Sequence, residues 1–138
     1  MSSVVYIQSC LQEGITPKGY TKYAERAEVE CVHHYRRAAK SFLNSKNKWV
    51  EFHRNSYNKQ DHKAIKVVGC SKGFLGTKRR VIGYLEKDLA KAIIAKGFED
   101  DVYPLLECEN VIGGGHVKIV LEIIGPNDFD TYSRWLAH

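Results

Sequence analysis

The sequence predicts a mostly β fold of the α+β class: a small antiparallel β-barrel of about six strands with one or two flanking helices. Three observations carry that expectation. Apolar and polar residues alternate along several short stretches, as they do in strands with one buried face. Strand-like stretches outnumber helical ones. Most of them are joined by short turns, which favours antiparallel neighbours and a curved, closed sheet.

Taken in order, residues 1–25 read as an N-terminal extension, and "ITPKGY" (15–20) reads as a turn because Pro17 and Gly19 punctuate it. "AEVECVHHY" (27–35) alternates, with Ala27, Val29 and Cys31 opposite Glu28 and Glu30, so it reads as the first strand. "RRAAKSFLN" places Ala38, Ala39, Phe42 and Leu43 on one helical stripe. "KWVEFHR" is a second strand with Val50 and Phe52 on one face, and "KAIKVVGC" a third with Ile65 and Val67 inward. "SKGFLGTKRR" reads as a hairpin loop and "RVIGYL" as a fourth strand. "EKDLAKAIIAKG" is the clearest helix: Leu85, Leu89, Ala92 and Ile93 share a face, acidic residues open it, and Lys96-Gly97 closes it. "VYPLLECENVI" and "HVKIVLEIIG" are two strands about a "GGG" turn. The tail, 126–138, holds one short helix with Phe129, Tyr132 and Trp135 packing back. The barrel domain is thus expected at 26–125.

At 138 residues the chain has room for one domain with a single core. No stretch is long and apolar enough for a membrane helix, and the N-terminus lacks the basic and apolar regions of a signal peptide. A cytoplasmic protein is expected, with no membrane partner. The four cysteines lie far apart and in no zinc-ligand spacing, so reduced, mostly buried thiols are expected. The net charge of +5 is unevenly spread: residues 18–80 carry 16 Lys/Arg against 5 Asp/Glu, and residues 81–138 carry 5 against 10. A basic face for a polyanion follows, with nucleic acid the first candidate.

No nucleophile elbow, phosphate-binding P-loop, zinc-protease helix or dinucleotide fingerprint is present. "GGGHV" leads into a strand rather than a helix, so it cannot aim a helix N-terminus at phosphate. His33 and His34, as adjacent strand residues, should point to opposite faces and not share a metal ion. Neither catalysis, a metal nor a cofactor is expected.

"RNSYNKQDHKAIKV" (54–67) concentrates hydrogen-bonding side chains directly before a strand. Its "NKQDHKAIKV" half resembles the signature of HIRAN domains, N-P-Y-D-x-N-A-I-x-V. Asn58, Asp61, Ala64, Ile65 and Val67 match it. A second block follows after a hairpin, where Gly83, Tyr84 and Ala90 of "GYLEKDLA" match G-Y/H-x-x-x-x-x-A. The resemblance covers about residues 26–124. It implies an OB-like six-stranded barrel and a module that captures the free 3′-hydroxyl end of single-stranded DNA. A carboxylate accepts from that hydroxyl, aromatic rings stack the last bases, and basic or amide groups hold phosphates.

Carried over by position, Asp61 reads the hydroxyl and Asn58 braces the loop or touches phosphate. Tyr84 lines the pocket. His33 and His34 stand where the family's first strand offers an Arg and a Tyr, and His116 lies near a late-hairpin aromatic. Gln60 replaces a stacking Tyr and Lys59 a Pro, with Tyr57 the nearest substitute ring. Arg36, Arg37, Arg79 and Arg80 are the candidate phosphate contacts. The implied function is a non-catalytic single-stranded DNA-binding module in DNA repair or replication-fork processing, with a DNA-processing helicase or nuclease as candidate partner. Such a module is nucleoid-associated in a bacterium and nuclear in a eukaryote. The alternative is a protein-interaction module on the same barrel whose DNA-end pocket has degenerated.

Overall fold

The computed structural model describes residues 3–54, 64–112 and 116–137. The chain runs α1 (Ser3–Gln12), β1 (Tyr20–Glu28), a 3-10 turn (Val32–Tyr35), α2 (Arg36–Leu43), β2 (Lys48–Arg54), β3 (Ile65–Gly73), β4 (Gly76–Tyr84), α3 (Lys87–Ala95), β5 (Tyr103–Ile112), β6 (His116–Pro126) and α4 (Phe129–Leu136). It is an α+β fold with two three-stranded sheets, ordered β1-β6-β5 and β2-β3-β4. Every pairing is antiparallel.

A backbone bridge after β1 links the two sheets. After β1, the Val29 N–H donates to the Ile119 carbonyl of β6 (2.9 Å). One residue on, Glu30 and Tyr84 of β4 exchange two backbone hydrogen bonds of 2.8 Å each. Gly83 makes the crossing possible. A Cβ there would lie 2.5 Å from the Glu30 carbonyl oxygen and from Val29 Cγ1, so any side chain would push the two strands apart.

Strand parity then separates two cores. One face of the β2-β3-β4 sheet carries Val50, Val67 and Ile82, which pack with Phe42 of α2, Ile93 of α3 and Ile119 and Leu121 of β6. The other face carries Trp49, Val68 and Cys70, which bury Ile7 and Leu11 of α1 together with Leu105 and Ile124. Trp135 of α4 stacks on Tyr23 (ring centroids 5.1 Å), and its indole N–H donates to the Tyr23 carbonyl (3.2 Å). Burial pushes the Tyr23 hydroxyl up to about 12, with Asp128 and Asp101 adding to it, while that hydroxyl donates to the Pro126 carbonyl (2.7 Å).

Several expectations change. The boundary at residue 26 falls inside β1, and the segment before it supplies α1 to the second core. Four α-helices flank the sheets rather than one or two. The alternation at 27–35 reads as one strand in sequence, yet the strand ends at Glu28. Cys31 takes a left-handed backbone (φ 63°) that turns the chain into the 3-10 turn. The 71–80 loop is mostly strand, since β3 continues to Gly73 and β4 resumes at Gly76. Phe129 is exposed rather than packed. Of the four free thiols only Cys70 is buried, while Cys31 and Cys108 are exposed. Burial pushes the Cys70 thiol up to about 12. No helix is long and apolar enough to cross a membrane, among the described residues.

Candidate nucleic-acid interface

The 3-10 turn and α2 organise the basic side of the molecule. Val32 is buried and faces Gly83, which pins the turn to β4. His33 and His34 are left exposed beside one another, with ring centroids 4.0 Å apart. This corrects the expectation of opposite faces: the pair lies in a helical turn, not in a strand. No group of three or more His, Cys, Asp or Glu is placed to hold an ion, among the described residues.

α2 buries Ala39 and Phe42, and the Phe42 ring lies directly over Gly69, where a Cβ would approach it to 2.7 Å. The N-terminus of α2 is unusual in its electrostatics. α3 opens with Glu86, whose carboxylate accepts from the Asp88 and Leu89 N–H groups (both 2.9 Å) and is held below its ordinary range by them. α4 opens with Asp128, which accepts from the Thr131 N–H (3.0 Å). α2 has no side-chain cap and no acidic residue in its first turn, where Arg36 and Arg37 stand instead. A helix N-terminus already carries partial positive charge, so two cations there favour an anion from outside the chain.

Two cavities open beside this turn. The larger, about 550 Å³, is lined by His34, Tyr35, Arg36, Arg37, Ala38, Ser41 and Arg80. Three arginines and no Asp or Glu line it, among the described residues. Arg80 is half-buried, and its guanidinium donates to the Ser41 hydroxyl. Tyr35 stands 6.2 Å from the Tyr84 ring. The second, about 490 Å³, is lined by Glu28, Glu30, Cys31, His33, Arg36, His116, Lys118 and three valines or their backbone. Its fixed charges balance, two carboxylates against Arg36 and Lys118.

The structure therefore brings His34, Arg36, Arg37 and Arg80 to one cavity and His33, Arg36 and His116 to its neighbour, with Tyr84 beside Tyr35. Arg79 is set apart from them. On β4 it faces the α1 side, where its guanidinium donates to both Glu51 oxygens (3.2 and 3.4 Å). Trp49 Nε1 donates to the same carboxylate (3.1 Å) and His53 Nε2 lies 3.0 Å from it. Burial alone would raise the Glu51 carboxyl, but Arg79, His53 and Trp49 together outweigh it and hold it down at about 2. The sequence reading passed over Glu51. Its signal was the alternation Trp49-Glu51-His53 on one face of β2, the face that Arg79 of β4 shares, with Cys70 of β3 between Trp49 and Arg79.

Tyr57, Asn58, Gln60 and Asp61 lie outside the described residues. Their flanks are placed: Arg54 pairs with Ile65 across β2 and β3, and the Ile65 carbonyl accepts from Leu85 N–H (3.0 Å), next to Tyr84. Arg54 is further fixed by two 3.0 Å bonds to the Glu99 carboxylate. Arg54 and Ile65 thus stand at the end of the sheet where Tyr84 and the 3-10 turn lie. No family model, no curated protein and no solved structure matches the chain.

Proposed function

We propose that the chain is a non-catalytic, HIRAN-like module that binds single-stranded DNA and prefers a free 3′-hydroxyl end. One observation carries the reading: Arg36, Arg37 and Arg80 share a cavity that no Asp or Glu among the described residues lines, at the start of α2, which has no side-chain cap. Guanidinium groups so placed bind phosphate whatever the base, and each phosphate neutralised adds to affinity through counterion release. The flanks of the 55–63 segment beside Tyr84 support a role for Asp61 in accepting from the terminal hydroxyl. The Glu30–Tyr84 crossing, which carries the chain from one sheet to the other, supports an OB-like barrel as the finer description of the fold. A DNA-processing helicase or nuclease remains the partner such a module would serve.

Three labelled oligonucleotides test the reading: a strand with a free 3′-hydroxyl, the same strand with a 3′-phosphate, and a circular strand. The hydroxyl end should bind most tightly, and Asp61→Ala should erase that preference while leaving weak, salt-sensitive binding. Equal affinity for all three removes end recognition, and no binding at low salt removes the DNA reading. A second reading, a protein-interaction module, is favoured by the neighbouring cavity, where Glu28 and Glu30 repel phosphate. It gains if DNA binding fails.

A further inference from the structure

The β3–β4 hairpin turns on Phe74 and Leu75, and both side chains are fully exposed, at 102% and 97%. The backbone does not require them. Tight hairpin turns favour Gly, Asn or Asp because those residues accept positive φ. Here the positive φ falls on Gly76 (116°), and neither Phe74 nor Leu75 has one. Small polar residues would make the same turn and leave no apolar surface in water.

The tip also projects. The last pair between β2 and β3 is Lys48 with Ser71, and the Asn47 carbonyl takes the Lys72 N–H (2.9 Å). The pairs Lys72–Thr77 and Gly73–Gly76 continue beyond with no third strand. The apolar turn therefore lies two residue pairs beyond the end of β2 and one pair, about 3 Å, beyond the Asn47–Lys72 bond.

Charge continues from the tip in a line rather than a ring. No Asp or Glu occurs from Ala64 through Leu85. Lys78 and Arg80 alternate on the α2 side of β4, and Arg80 opens into the cavity shared with Arg36 and Arg37. Leu75 to Arg80 spans about 17 Å along the strand. A linear basic track ending in an apolar tip matches a linear polyanion with exposed bases better than a flat anionic surface, which the tip alone would meet.

We propose that the hairpin is a wedge: Phe74 and Leu75 stack on the last base pair where a duplex opens, and the released single strand follows Lys78 and Arg80 to the arginine cavity. Apolar side chains inserted at a base step, and rings stacked on bases, are established ways of holding an unpaired or kinked site. The inference rests on the single-strand reading and adds a junction to it.

The test compares the whole chain with its Phe74→Ser/Leu75→Ser double variant. Both residues are solvent-exposed, so the variant should melt with the wild type. The probes are a single strand and a duplex with a 3′ overhang carrying 2-aminopurine at the last paired base. The wild type should bind the overhang duplex about tenfold more tightly than the single strand and change the 2-aminopurine fluorescence. The variant should lose both effects and keep single-strand affinity. If the wild type binds the single strand with no junction preference, or the variant keeps that preference, the wedge is wrong and the single-strand reading stands. If the wild type binds neither probe at low salt, both fall. Variant-sensitive partition onto phosphatidylserine vesicles would then assign the tip to a membrane surface, and variant-sensitive sedimentation to a second copy of the chain.

Discussion

Arg79 and Arg80 are consecutive on β4 and meet opposite surroundings. Arg79 closes a quartet with Trp49, Glu51 and His53, in which one carboxylate gathers three donors. Arg80 joins Arg36 and Arg37, and its neighbour is a serine hydroxyl rather than a carboxylate. The pleat alone decides this, since successive strand residues point to opposite faces. On the α1 side, charge is neutralised within the fold and stabilises it. On the α2 side, like charges are collected at a cost in mutual repulsion that a phosphate backbone would relieve.

The sharpest way to break the contrast is to remove the collected charge. The triple variant Arg36→Ala, Arg37→Ala, Arg80→Ala should lose roughly a hundredfold in affinity for a single strand. Its slope of log affinity against log salt should shrink by about two, three phosphate contacts at about 0.7 each. Its melting temperature should hold or rise, because repulsion is relieved. Unchanged affinity and slope would place the polyanion elsewhere.

The same contrast sharpens from the other side at Glu51. Glu51→Gln keeps the shape and removes the charge, so it should cost about 1–2 kcal/mol of stability while leaving DNA affinity unchanged. The pH dependence carries the sign. The folded chain holds the Glu51 carboxyl at about 2, and the unfolded chain at an ordinary 4.5. The unfolded chain therefore binds the extra proton first as the medium is acidified. The contribution is complete above the ordinary value and is lost as pH falls toward about 2. Urea unfolding of the wild type should show that decline on top of any shared acid loss, and Glu51→Gln should lack it.

How much of this was readable in the sequence follows the same division. The β2, β3, β5 and β6 segments and the helices α2 and α3 follow from local periodicity, because each has one face in a core. The strand at 27–35 was misjudged since Val29 and Cys31 alternate with Glu28 and Glu30 up to the point where Cys31 turns the chain. That turn is fixed by the crossing over Gly83, a contact between residues far apart in sequence. α1 was missed because Ile7 and Leu11 make a narrow stripe, which only the Trp49–Cys70 face completes. The basic segment was legible as a total; which arginines remain available depended on β4 parity and on Glu51. Placing Arg79 and Arg80 together in one hairpin loop hid that division, since both belong to β4 and face opposite ways.

The smallest expected effect is Arg79→Ala, and it is the most discriminating because it touches the arginine beside Arg80 and spares Arg80 itself. The Arg79 side chain is about half exposed, at 47%, so solvent screens its pair with Glu51. The loss should stay below about 1 kcal/mol, with Trp49 and His53 still donating to the carboxylate. A double-mutant cycle with Glu51→Gln measures the coupling directly. It should be of the same size, because the two residues touch and share the quartet. Single-strand affinity should fall by no more than about twofold, because Arg79 is on the opposite face from the cavity, is paired with Glu51 and is screened by salt. An affinity loss at Arg79 equal to that at Arg80→Ala would mean that both faces of β4 meet the ligand. The strand would then lie across the edge of the sheet, and the α2 cavity would be one contact among several.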